Sequence, residues 1–110
     1  MSKKERLDQI EGYLCEKFHL PQEQVGEMIP SFMIALSSHM DNLDGALESG
    51  DLVKLGRAGH TMKGALLNLG LLDCVDIAME IEQKGKALDT SVDYRVMLGD
   101  LRKSLEGLIS

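Results

Sequence analysis

The 110-residue sequence predicts an all-α domain, an antiparallel up-down four-helix bundle with an additional N-terminal helix. Three observations lead there. Apolar residues recur at spacings of three and four over most of the chain, which is the helical period. Aromatic residues make up only 4% of it, and no alternating β-branched run suggests a strand. Short polar connections separate the long periodic segments, so neighbouring helices should run antiparallel. This length suits one domain with one core, taken as residues 1–110.

The first helix is expected over about residues 4–18, with Leu7, Ile10, Leu14 and Phe18 on one face. His19-Leu20-Pro21 ends it, because proline fits a new first turn better than a continuation. The second covers about residues 22–48, with a seam from Val25 through Phe32, Leu36, Met40 and Leu43 to Leu47. Pro30 removes one backbone hydrogen bond and crowds Gly26, so a kink or short break is expected there. The third helix, about 52–69, starts after an Asp51 N-cap and closes on Gly70 as its C′ residue. Asp73 is the expected cap of a fourth helix at about 74–87, with Ile77, Ala78, Ile81 and Lys84 as its seam. Ser91 is the expected cap of a fifth at about 92–109, with Val96, Met97, Leu101, Leu105 and Leu108 inward.

Bulk composition excludes several function classes. Eighteen acidic residues against twelve basic ones give a net charge of −6. Nucleic acid is an unsuitable partner, because phosphate neutralisation needs a basic face. No apolar run spans a bilayer and no signal segment opens the chain, so a cytoplasmic protein with no membrane contact is expected. Cys15 and Cys74 form no CxxC pair and read as buried thiols.

Chemistry concentrates at His60. On the wheel of the third helix, Leu52, Leu55, Met62, Leu66 and Leu69 form one stripe, and His60 points almost directly away from it. Val53, Gly56, Gly64 and Leu67 lie within about 40° of His60, and Arg57 and Lys63 flank it at about 60° on opposite sides. Each glycine costs a helix interior about 1 kcal/mol relative to alanine. Gly56 and Gly64, four residues before and after His60, therefore suggest close approach by a partner to an exposed imidazole. A metal site is not expected: the i+3 and i+4 positions hold Lys63 and Gly64 rather than ligands. An exposed neutral imidazole can act as a nucleophile toward a centre carried by another protein. Lys63 could then meet the negative charge of a transferred phosphoryl group.

The run His60-Thr61-Met62-Lys63-Gly64-Ala65, followed by Gly70, resembles the phosphoacceptor signature of histidine-containing phosphotransfer (HPt) domains. The resemblance spans most of the chain, including the second-helix seam, Gly50-Asp51 and Glu80-Ile81-Glu82. It implies that His60 takes a phosphoryl group from a receiver-domain aspartyl phosphate, or through a histidine kinase relay, and passes it to a response regulator. It implies that Glu82 orients the ring through Nδ1 while Nε2 attacks. Lys63 would screen the phosphoryl charge. Val53, Gly56, Arg57, Gly64, Leu67 and Lys86 would form the receiver-docking surface. Receiver domains and a hybrid histidine kinase are the implied partners. The receiver would supply Mg²⁺, leaving this chain without a cofactor, and it carries no ATP-binding glycine motif that would make it a kinase. The alternative is a non-phosphorylated helical docking module of the same fold. Gly59 stands where relatives usually have alanine, and a locally looser helix is expected from it.

Overall fold

Five helices account for the chain in a computed structural model that describes residues 2–109: α1 Lys3–Phe18, α2 Gln22–Ser49, α3 Leu52–Asn68, α4 Leu72–Lys86 and α5 Tyr94–Ser104. Among the described residues there is no strand. Helices α2 to α5 pack in a closed ring, each against the next and α5 back against α2, with α1 laid along α2. This is the expected up-down bundle with an additional helix. Its core is aliphatic: Leu36, Met40, Leu43, Leu55, Met62, Leu66, Ile81 and Leu101 are all essentially inaccessible to solvent.

Local chemistry explains the helix ends. The Ser2 hydroxyl accepts from Glu5 N at 3.2 Å, and the Glu5 carboxylate accepts from Ser2 N at 3.3 Å, a reciprocal cap at the start of α1. His19 closes α1 in the left-handed region, φ 54°, ahead of Pro21. Asp51 caps α3 by accepting from Lys54 N at 3.1 Å, as expected. Gly70, φ 73°, ends it: Gly70 N donates to Leu67 O and Leu71 N to Leu66 O, the paired bonds of a Schellman turn.

Several expectations need correction. Helix α2 runs through Pro30 without a break. Gly26 and Pro30 are both exposed, so water can satisfy the carbonyl that the proline leaves free. Asp73 does not cap α4, which begins two residues earlier than expected with Leu71 in the capping position. Its carboxylate instead takes a bidentate pair from Arg6, at 2.9 and 2.6 Å. Asp93, not Ser91, caps α5, accepting from Val96 N at 3.2 Å. Ser91 is used in the preceding turn, donating to Asp89. Helix α5 ends at Ser104 rather than 109, and Val96 is exposed while Leu98 faces inward. The later start and the buried Tyr94, whose hydroxyl donates to Asp89 O at 2.5 Å, rotate the seam onto Leu98 and Leu101. Leu105 and Leu108 still reach the core from the closing turn, where Gly107 takes φ 86°. Phe18, expected on the inner face of α1, is half exposed, and so is Lys84 in part on α4.

Helix α1 is latched by a residue the periodicity does not mark. Arg6 is 4% exposed, donates from Nε to Ser104 O at 3.1 Å and holds Asp73 at the start of α4. One guanidinium thus ties α1 to both α4 and α5. Cys74 is buried beside this latch, and burial pushes its thiol up to about 11, so it stays protonated and unreactive. Cys15 is only half-buried, so the expectation of two buried thiols holds for Cys74 alone.

Candidate functional site

His60 sits mid-way along α3, with its side chain 62% exposed, while Leu55, Met62 and Leu66 of the same helix and Leu69 at its C-cap are buried. The ring leans toward α4. Its Nδ1 lies 2.6 Å from Oε2 of Glu82, whose side chain is only 8% exposed. Lys63, one turn beyond His60, reaches the other carboxylate oxygen, Oε1, at 2.6 Å. Lys86, one turn beyond Glu82 on α4, reaches Oε2 at 2.7 Å. One buried carboxylate therefore gathers an imidazole and two ammonium groups from two helices.

The charges fix the tautomer. Lys63 first, then Lys86, hold the Glu82 carboxyl down at about 2; burial opposes them, and the His60 hydrogen bond adds to the lowering. An ionised carboxylate only accepts, so the hydrogen of this contact belongs to Nδ1 of His60. In the neutral ring, Nε2 then carries the free lone pair. Among the described residues, no protein group is bonded to that atom. With Glu82 balancing one lysine, the cluster keeps one positive charge in surplus and favours an anion over a metal. Among the described residues, no three His, Cys, Asp or Glu side chains converge as metal ligands.

The glycines explain how Glu82 comes so close. A Cβ built at Gly59 would stand 2.9 Å from the Glu82 backbone nitrogen, and one at Gly56 would stand 2.9 Å from that of Lys86. On the other side, a Cβ at Gly85 would stand 2.8 Å from Gly56 Cα. Helices α3 and α4 thus cross backbone to backbone, the closest approach a helix pair can make. Two expectations change. Gly56 is buried under α4 and cannot belong to a docking surface, because its side of the wheel is the side α4 covers. Gly59 does not loosen α3; it is buried, and its missing side chain lets α4 in.

The other docking candidates do face outward. Val53 and Leu67 are more than two-fifths exposed, Arg57 is exposed, and a Cβ at Gly64 would meet nothing within 4 Å. Beside them an open groove of about 320 Å³ runs between α2 and α3, lined by His39, Asn42, Gly45, Lys54, Arg57 and Thr61. His39 and Lys54 carry no sequence signal for this, since they belong to different helices and meet only in the fold. Asp41 also lines this groove, opposite Lys54 and Arg57, while Lys63 and Lys86 stand beside His60.

A family model described as Hpt domain matches residues 27–109. The chain belongs to the Hpt domain family. No curated protein and no solved structure gives a match. The matched span covers most of α2 and all of α3, α4 and α5, so the Hpt domain comprises the bundle and the His60 cluster, while the latched α1 lies outside it. Hpt domains are histidine phosphotransfer modules of two-component phosphorelays, not kinases. No helix among the described residues is long and apolar enough to cross a membrane.

Proposed function

We propose that His60 is the phosphoacceptor of a phosphorelay and that response-regulator receiver domains deliver and collect the group. The observation that carries this reading is the arrangement around the ring. Nδ1–H is committed to an ionised carboxylate, and Nε2 is left exposed with its lone pair.

The chemistry balances without a proton leaving the site. The Nε2 lone pair attacks the phosphorus of an aspartyl phosphate on the receiver, and the P–O bond to the aspartyl carbonyl group breaks. The aspartate leaves as a carboxylate. The ring keeps Nδ1–H and becomes a phosphorylated imidazolium whose positive charge faces Glu82. In the second transfer the carboxylate of another receiver attacks the phosphorus, and His60 departs as a neutral imidazole in its starting tautomer. Glu82 stabilises the imidazolium in both directions and does not itself take the proton, since Lys63 and Lys86 hold its carboxyl well below the ordinary carboxylate range.

Lys63 is the cation for the phosphoryl oxygens. It needs only to turn from Glu82, and Lys86 remains on the carboxylate when it does. Val53, Arg57, Gly64 and Leu67 form the surface on which the receiver settles. The receiver brings the reactive aspartate and the Mg²⁺, so this chain works without a cofactor of its own. The same reading puts it in the cytoplasm, downstream of a hybrid histidine kinase.

Incubation with a phosphorylated receiver should transfer an acid-labile, alkali-stable label to this chain, and His60→Gln should abolish it while leaving the helical circular dichroism intact. Full labelling of the His60→Gln protein would sink the assignment. Receiver binding with no labelling of the wild type would leave a docking module instead.

A further inference from the structure

Eight of the eleven glycines do not bring helix backbones together; Gly56, Gly59 and Gly85 do. Their position relative to the His60 cluster is specific. The atoms a Cβ at Gly59 would strike are the Glu82 nitrogen at 2.9 Å, the Glu82 Cα at 3.2 Å and Ile81 Cγ2 at 3.2 Å. The atom a Cβ at Gly56 would strike first is the Lys86 nitrogen. The α4 residues pressed against these glycines are therefore the two that supply the carboxylate and its second cation.

We propose that Gly59 is a positioning residue for phosphotransfer: by leaving α3 without a side chain where the Glu82 backbone crosses it, it sets the 2.6 Å reach from the Glu82 carboxylate to His60 Nδ1. The proposal rests on the phosphorelay reading for its functional consequence and on the helix crossing alone for its geometry. Gly59 and His60 are adjacent in the chain, so the ring's anchor point is fixed relative to the crossing. Relatives usually carry alanine here, but at this crossing, which Gly56 and Gly85 also close, an alanine cannot fit at 2.9 Å from backbone. To reach even the shortest ordinary contact of 3.4 Å, α4 must recede by about 0.5 Å at Glu82. The Nδ1···Oε2 contact would then open to about 3.1 Å, beyond the usual range of a charge-assisted bond. Lys86 would not correct this, because it rides on α4 and holds the same oxygen as the ring.

Glycine is the poorest helix former after proline, so alanine at an unconstrained helical site should only stabilise. Gly12 is such a site, exposed within α1 with nothing near its missing Cβ. The test compares Gly59→Ala with Gly12→Ala in the intact chain. In the unphosphorylated protein, ¹⁵N NMR reads the His60 tautomer. Wild type and Gly12→Ala should show one Nδ1–H form, and Gly59→Ala should show a mixture. With a phosphorylated receiver, the limiting transfer rate of Gly59→Ala should fall by about tenfold, the effect of losing much of one charge-assisted hydrogen bond. The half-saturating receiver concentration should stay unchanged, because the outer surface is untouched. In a Glu82→Ala background, Gly59→Ala should add nothing.

A wild-type tautomer and rate in Gly59→Ala would overturn the proposal, and so would an equal further loss in the Glu82→Ala background. If Gly59→Ala does not fold, Gly85→Ala opens the same crossing from the other helix and should give the same mixture. Failure of both to fold would make the crossing a requirement of folding alone and would also overturn it. Wild-type protein that accepts no phosphoryl group would defeat the phosphorelay reading, while the tautomer measurement would still decide the role of Gly59.

Discussion

Replacing Glu82 separates charge from orientation at His60. In the resting site Glu82 accepts from Nδ1 at 2.6 Å with a carboxylate held ionised by two lysines. Hydrogen bonds to charged groups are worth about 1.5–3 kcal/mol, and each 1.4 kcal/mol is about tenfold in rate. The bond strengthens as the ring turns from neutral imidazole to imidazolium, so this energy falls on the transition state rather than on receiver binding. Glu82→Ala should therefore slow transfer by roughly 10- to 100-fold at saturating receiver. A second loss adds in the same direction, because an unanchored ring spends part of its time with the proton on the attacking nitrogen.

Glu82→Gln keeps an acceptor at nearly the same place but removes the charge. Its oxygen can hold Nδ1–H only by turning its amide nitrogen toward Lys63, which releases that lysine. The loss should be smaller than for alanine, about three- to tenfold, the difference between charged and neutral hydrogen bonds. The assay is rapid-quench transfer of radiolabel from a phosphorylated receiver, with rate and half-saturation resolved. Alanine transferring within about twofold of wild type would refute the anchoring role. Glutamine as damaging as alanine would refute the separation of orientation from charge.

Three other outcomes follow from the same contacts. Either Lys63→Met or Lys86→Met leaves Glu82 one cation, whereas the double variant strands a buried carboxylate; urea unfolding should show the double variant losing about 3 kcal/mol, more than the two single losses together. Glu82 is held at about 2 against an ordinary 4.5, so it stabilises the fold fully above about pH 5 and this contribution is lost as pH falls toward 2. Unfolding midpoints measured across that window should drop less steeply in Glu82→Gln than in wild type. Arg6→Ala removes a nearly buried guanidinium that joins three helices, and should cost about 2–3 kcal/mol in urea unfolding.

Much of the fold is legible because helical periodicity and cap chemistry are local. The seams of α2 and α3, the Asp51 cap and the Gly70 closure depend on residues within a turn or two of one another, and all are found as read. The two misread caps share one cause. Asp73 and Ser91 are both good capping residues in suitable places, and each has been drawn away by a partner. Asp73 is claimed by Arg6, 67 residues earlier, and Ser91 by Asp89 in a turn closed by the Tyr94 hydroxyl. A cap preference of about 1 kcal/mol yields to a bidentate ion pair with a buried guanidinium.

The site shows the same limit in sharper form. Gly56 and Gly64 lie at about 40° on either side of His60 and are equivalent on a helical wheel. In the bundle they do opposite work: Gly56 is pressed under α4, and Gly64 looks into open space. A wheel describes one helix and is blind to which flank a neighbour covers. The information needed to break the symmetry lies on the other helix. Gly85 is an unexplained glycine near the end of α4, three residues beyond Glu82. The pair Gly56 and Gly59, spaced three apart on α3, is its natural counterpart, since two helices can touch backbones only where both lack side chains. Matching those glycines would have put α4 on the Lys63 side of His60. Glu82 would then have followed from packing, without any resemblance to guide it.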